Sequence, residues 1–82
     1  MLEGKWVTLA RMESGKSGMV VQIQGGRGLV NRLDALGIRA GKRITKVSSM
    51  FMRGPVTIEI DRTQVAIGFG MADRIVIEPK IE

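Results

Sequence analysis

Cysteine, histidine and tyrosine are absent from these 82 residues, and each absence removes a class of chemistry. Without cysteine there is neither a disulfide framework nor a thiolate metal site, so stability must come from packing. Without histidine or tyrosine the usual proton shuttles are missing and the serines have no matching base, so an enzyme is not expected. One tryptophan and two phenylalanines leave few platforms on which nucleic-acid bases could stack. Long apolar runs are also missing. The opening "MLEGKWVTLARM" lacks the continuous hydrophobic segment of a signal peptide or membrane span, so the expectation is a cytoplasmic chain without membrane insertion.

What is present is a modest excess of positive charge. Thirteen Lys and Arg against eight Asp and Glu give a formal +5, which attracts polyanions or an acidic protein surface. The charges are interspersed and no repeat is visible, so residues 1–82 read as one domain. A chain of this size buries only roughly 60% of the surface it exposes unfolded. Its stability is therefore of order 0.05 to 0.15 kcal/mol per residue, roughly 4 to 12 kcal/mol in total.

The stretch "GMVVQIQ", residues 18 to 24, is β-branched and reads as a strand, ended by Gly25, Gly26 and Gly28. Leu29, Leu33 and Leu36 then recur at helical spacing, which predicts a short amphipathic helix with these three leucines on its buried face. Gly37 follows as the residue that closes the helix, with Ile38 folding back over its end. "KRITKV" reads as a strand of imperfect alternation and "VTIEID" as a half-buried strand with Val56, Ile58 and Ile60 inward. About three polar residues separate it from "VAIGF", where Val65, Ile67 and Phe69 alternate as core, and the two predict a hairpin. "GMAD" is a single helical turn before the last strand, "RIVIE". Five short strands with one small helix predict a mainly β, strongly bent barrel whose closure removes exposed strand edges.

Several motifs are weaker than they look. "SGKSG" lacks the upstream glycine of a phosphate-binding loop, and "GGRG" carries Asn31 where a dinucleotide fingerprint needs glycine. Glu59 and Asp61 share one face of their strand, but a solvated outer face accounts for them. Met50 and Met52 also share a face, and adaptable packing accounts for these thioethers better than a soft metal does. The segment "SMFMRG" differs, because it places Met50, Phe51 and Met52 in a connection that does not easily bury them all. Such an apolar tip fits protein docking, and Arg53 beside it adds a guanidinium fork suited to an acidic partner.

The stretch "NRLDALGIRAGKRI" resembles the signature of the FeoA family, small cytosolic accessory proteins of bacterial ferrous-iron uptake. The matching positions are Arg32, Leu33, Leu36, Gly37, Ile38 and Gly41. Leu9, Met12, Gly15, Gly18, Val20 and Ile23 are similar to the family's opening, and Pro55-Val56, Ala72 and "RIVIE" to its close. The same module is similar to the C-terminal domain of iron-dependent repressors of the diphtheria-toxin-repressor type. Three positions depart from the family pattern: Ala40 where proline is frequent, Arg62 where a turn glycine is common, and Gly68 where a basic residue is frequent.

The resemblance implies an SH3-like β-barrel, no cofactor of its own, and a role beside FeoB, the membrane iron permease with a cytosolic GTPase domain. The expected docking residues are Arg32, Met50, Phe51, Met52 and Arg53. A nucleic-acid-binding barrel and direct transition-metal binding are the alternative functions, and self-association is compatible with the sequence. Nucleic acid is the poorer fit, because the repressors grip DNA with a separate winged-helix segment that these residues do not contain.

Overall fold

A computed structural model describes residues 5–49 and 52–80. Six strands and two short helices follow in the order β1 (Val7–Thr8), β2 (Ser17–Ile23), α1 (Arg27–Ala35), β3 (Arg43–Ser49), β4 (Val56–Ile60), β5 (Thr63–Ile67), α2 (Phe69–Ala72) and β6 (Ile75–Pro79). They form one antiparallel sheet in the order β1-β6-β2-β3-β4-β5. The mainly β fold class is therefore as expected, but there are six strands. β1 is the addition: two residues are too short to leave a periodic signature, and it exists because Val7 and Thr8 pair with Ile77 and Val76. The hydrogen-bonded order also does not close among the described residues, and it leaves β1 and β5 as edges.

Two irregularities curl the sheet. Pairing of β2 with β6 shifts between Val20 and Gln22, and pairing of β3 with β4 shifts between Lys46 and Ser48. An extra residue at each place bends the strand and raises its twist. The bulge also reverses which parity faces inward, so Val20 is buried while Ile23, not Gln22, packs next against the core. "KRITKV" alternates imperfectly for another reason: Lys46 takes an inward position in step with Ile44, and Val47 is left exposed. The curl brings Val20, Ile44, Ile58, Ile75 and Ile77 into a single cluster. Gly18 sits where β2 crosses β6 so closely that a β-carbon would lie 2.7 Å from the Glu78 carbonyl oxygen.

The helix covers this cluster with one fully buried side chain, Leu33. Leu29 is half-buried, whereas Leu36 is exposed, contrary to the spacing-based expectation. Leu36 is the C-cap, already turning away from the helical face. The end itself is as expected: Gly37 has φ +89°, its N–H donates to the Asp34 carbonyl at 2.9 Å, and the Ile38 N–H donates to the Leu33 carbonyl at 2.9 Å. This paired closure is the Schellman arrangement, and its hydrophobic partner contact is supplied by Leu33 and Ile38, both wholly buried. The N-terminus has no side-chain cap and no acidic residue in its first turn, so the helix depends on its C-terminal closure and on burial.

The β4–β5 hairpin is tighter than expected. Ile60 pairs with Thr63 across a two-residue turn, with Asp61 at φ +52° and Arg62 at φ +68°. Left-handed geometry at both positions is the type I′ turn that matches strand twist, and it favours Asn or Asp followed by Gly. Arg62 occupies the glycine place, and Asp61 lies in the turn rather than on a strand face beside Glu59. Phe69 likewise leaves the strand pattern: it begins α2 and is only half-buried.

Leu33→Ala is expected to cost about 2 to 5 kcal/mol, measured as a fall in the urea midpoint at unchanged m-value. Arg62→Gly relieves a left-handed arginine and is expected to raise stability by roughly 0.5 to 1 kcal/mol, visible in the same titration.

Candidate functional site

The segment between β1 and β2 is built around Lys46. On β3 this residue follows Ile44 at a two-residue interval, so it points to the same inward face, and only 2% of it is exposed. Its Nζ donates to the carbonyls of Ala10 at 2.9 Å and Met12 at 2.6 Å. Its backbone adds two further bonds: the Gly15 N–H donates to the Lys46 carbonyl at 2.7 Å, and the Lys46 N–H donates to the Lys16 carbonyl at 2.9 Å. Burial pushes the Lys46 amine below the ordinary lysine range, because the charged form has lost much of its hydration. The interval from Ala10 to Lys16 is thus fastened to the middle of the sheet, which seats Leu9 and Met12 in the core.

The exposed side of that segment flanks an open recess of about 370 Å³, with Arg11, Glu13, Lys16 and Lys80 around Val7 and Pro79. Arg11 lies 3.9 Å from Asp73, an exposed contact of little energetic weight. Asp73 instead accepts from the Thr8 hydroxyl at 2.9 Å, tying β1 to the turn before β6.

The docking residues expected from the sequence fall in separate places. Met50 and Phe51 lie outside the described residues. Met52 and Arg53 form the turn before β4, both left-handed at φ +62° and +65°. Met52 is 81% exposed, the most exposed of the large apolar side chains described. The Arg53 guanidinium carbon lies 5.7 Å from the centre of the Phe69 ring, within cation–π reach. Met52, Arg53 and Phe69 therefore make one patch. Met52 belongs to this turn and not to a strand; the face it is expected to share with Met50 lies outside the described residues.

Arg32 is not part of this patch. It occupies the last turn of α1, and the end of that helix lies over the far end of β4, where a β-carbon added at Gly37 would lie 4.0 Å from the Ile60 side chain. The patch enters β4 at Val56, four residues along the strand, or roughly 13 Å away. Two ion pairs lie near the Ile60 end: Arg39 Nε donates to Asp34 Oδ1 at 2.6 Å, and Lys42 Nζ donates to Asp61 Oδ2 at 2.7 Å. The Asp34 bond holds the Arg39 guanidinium above its ordinary value. Among the described residues, no three acidic side chains converge on one point.

Phe69 and Lys46 were both missed as site residues from sequence. Phe69 continues an alternating run, and nothing local announces that α2 interrupts it. Lys46 had a signal, its parity with Ile44, but a charged residue in a strand is ordinarily assigned to solvent.

The family model described as the FeoA domain matches residues 7–79. A protein of Methanocaldococcus jannaschii, named "Putative Fe(2+) transport protein A", is 33% identical over 70 residues, which span 85% of this chain and 83% of the relative. The crystal structure of an iron uptake regulatory protein, FeoA, matches at a TM-score of 0.85 and 33% identity, over 93% of this chain and 99% of that one. A manganese-dependent transcriptional repressor matches at 0.83 and 20% identity, over 92% of this chain but 42% of its own. That last likeness is one of fold.

Replacing Lys46 with Met leaves the carbonyls of Ala10 and Met12 without their donor and is expected to cost about 1 to 3 kcal/mol. The pH dependence has a definite sign. Below its lowered folded pKa the lysine is charged in both states; between that value and the ordinary 10.5 the unfolded chain holds more protons, so stability rises with pH. Urea titrations on the alkaline side should show this rise in the wild type and its loss in Lys46→Met.

Proposed function

This chain belongs to the FeoA family, and we propose that it is a non-enzymatic accessory of ferrous iron uptake, docking on the cytosolic part of a FeoB-type permease and modulating transport. The observation that carries the reading is the family match across residues 7–79, supported by a relative of nearly the same length named for Fe(2+) transport. In this reading GTP hydrolysis belongs to FeoB, and the present chain contributes a surface. The sequence supports that division, because it offers no histidine, cysteine or tyrosine to serve as a proton shuttle or activated nucleophile.

The patch of Met52, Arg53 and Phe69 has the composition of an interface anchor. An exposed thioether chain adapts to an apolar counterpart, and an arginine stacked on an aromatic ring still presents hydrogen-bond donors to a carboxylate. Arginine and aromatic side chains are the types that dominate binding energy at interfaces. Arg32, in the last turn of α1, would need a partner broad enough to span both places.

Arg53→Glu combined with Met52→Ser should weaken capture of the FeoB cytosolic region by tenfold or more, about 1.4 kcal/mol or above, with the thermal midpoint nearly unchanged. The same variant should lower ferrous iron uptake in cells that lack the native copy. Capture equal to that of the wild type removes this patch from the interface. Absence of capture by the wild type removes the FeoB reading itself.

A further inference from the structure

The β5 edge combines three observations that the docking patch does not use. First, β5 is the last strand of the sheet order, and its sequence from Thr63 to Ile67 contains no charge and no proline, while its pairing with β4 runs without a bulge. Proteins ordinarily blunt a free edge with one of these devices. Second, the two-residue turn sets which groups point outward. Ile60 and Thr63 flank the turn as a hydrogen-bonded pair, so Thr63, Val65 and Ile67 bond to β4, and the amides of Gln64 and Ala66 point away from the sheet. Gln64 and Ala66 are exposed, and Gly68 beyond them remains extended at φ −65°, ψ 152° and exposed. Third, Val65 packs against the core yet is only partly buried, because no strand lies beyond it.

The charges lie at the two ends of this edge. Arg62 stands at the hairpin tip, and Arg53 stands over Phe69 at the other end. Neither takes part in the three ion pairs found among the described residues. We propose that β5 is a docking edge for an extended segment of a partner chain, β-branched and uncharged in its middle and carrying a carboxylate toward each end. Such a segment would bond to the Gln64 and Ala66 backbone, cover Val65 and meet Arg62 and Arg53 with opposite charge.

A second copy of this chain fits less well. Antiparallel pairing about Val65 would place Arg62 of each copy beside residue 68 of the other, next to its Arg53, so that like charges would meet twice. The inference deepens the docking reading above and rests on it only for the existence of a partner chain; its test uses no FeoB, so the two can fail separately.

The test is amide NMR of the full chain titrated with the blocked peptide Glu-Thr-Val-Thr-Val-Thr-Glu. Binding in the millimolar range should shift resonances from Arg62 to Phe69 and slow hydrogen exchange at Gln64 and Ala66 on the order of tenfold. Ala66→Pro removes an outward N–H without touching the bonds to β4 and should abolish the shifts. Arg62→Glu, which leaves every strand residue in place, should weaken binding by about tenfold and favour a peptide with lysine at one end and glutamate at the other. No shift along β5, shifts that survive both substitutions, or concentration-dependent pairing of the free chain through these same amides would overturn the proposal.

Discussion

The ammonium of Lys46, seated between the carbonyls of Ala10 and Met12, is the contact on which the covering of this sheet depends. A six-stranded sheet in so short a chain has one face to bury and little sequence left to bury it with. Part of that cover is the segment after β1, which has no regular structure to satisfy its own backbone. Irregular backbone placed against a core must find partners for its polar groups. Lys46 provides several of them through its side chain and its main chain together, the carbonyls of Ile75 and Ala72 accept from Leu9 and Ala10, and among the described residues no buried side-chain nitrogen or oxygen is left without a partner. The cost is a desolvated cation. The gain is that Leu9 and Met12 can face inward from a loop.

The rest of the cover is α1, and the same logic applies to it with different chemistry. Nine residues without an N-terminal side-chain cap do not make a stable helix in isolation. Gly37 terminates it in the one conformation that returns Ile38 to the core, so that Leu33 and Ile38 bury each other while satisfying the last carbonyls. Both pieces of cover are therefore held by carbonyl acceptors near their ends, one by a lysine and one by main-chain N–H groups. Neither could move without exposing part of the cluster that includes Val20, Ile44 and Ile58.

The parts legible in the sequence are those in which a local rule and the tertiary fold agree. Gly37 after a leucine repeat, Val56-Ile58-Ile60 in strict alternation, and a helical turn at "GMAD" each follow from neighbours a few positions away. The departures share a cause: they are set by residues distant in the chain. The two bulges depend on pairing with β6 and β4, β1 exists only as a partner of β6, and Lys46 is buried only because the loop folds over it. Leu36 and Phe69 belong to periodic runs that end one position sooner than the pattern implies, because a cap and a second helix intervene. Of the candidate site, residue types were legible and grouping was not. Arg32 and Arg53 are equally basic in sequence, and only the path of β4 separates them.

The curl that buries the core also decides what remains available to a partner. Bulges at Val21 and Val47 bend β2 and β3, the middle of the sheet, and the register between β4 and β5 stays regular. The deformation needed to wrap the core is thus concentrated away from the β4–β5 hairpin, whose outer strand keeps unperturbed backbone geometry. A type I′ turn with an arginine in its second position bounds that strand at one end, and α2 bounds it at the other. An edge that is bulge-free, uncharged and bounded at both ends by a turn and a helix loses little conformational entropy when another strand is added, and preorganisation of this kind lets a short contact bind.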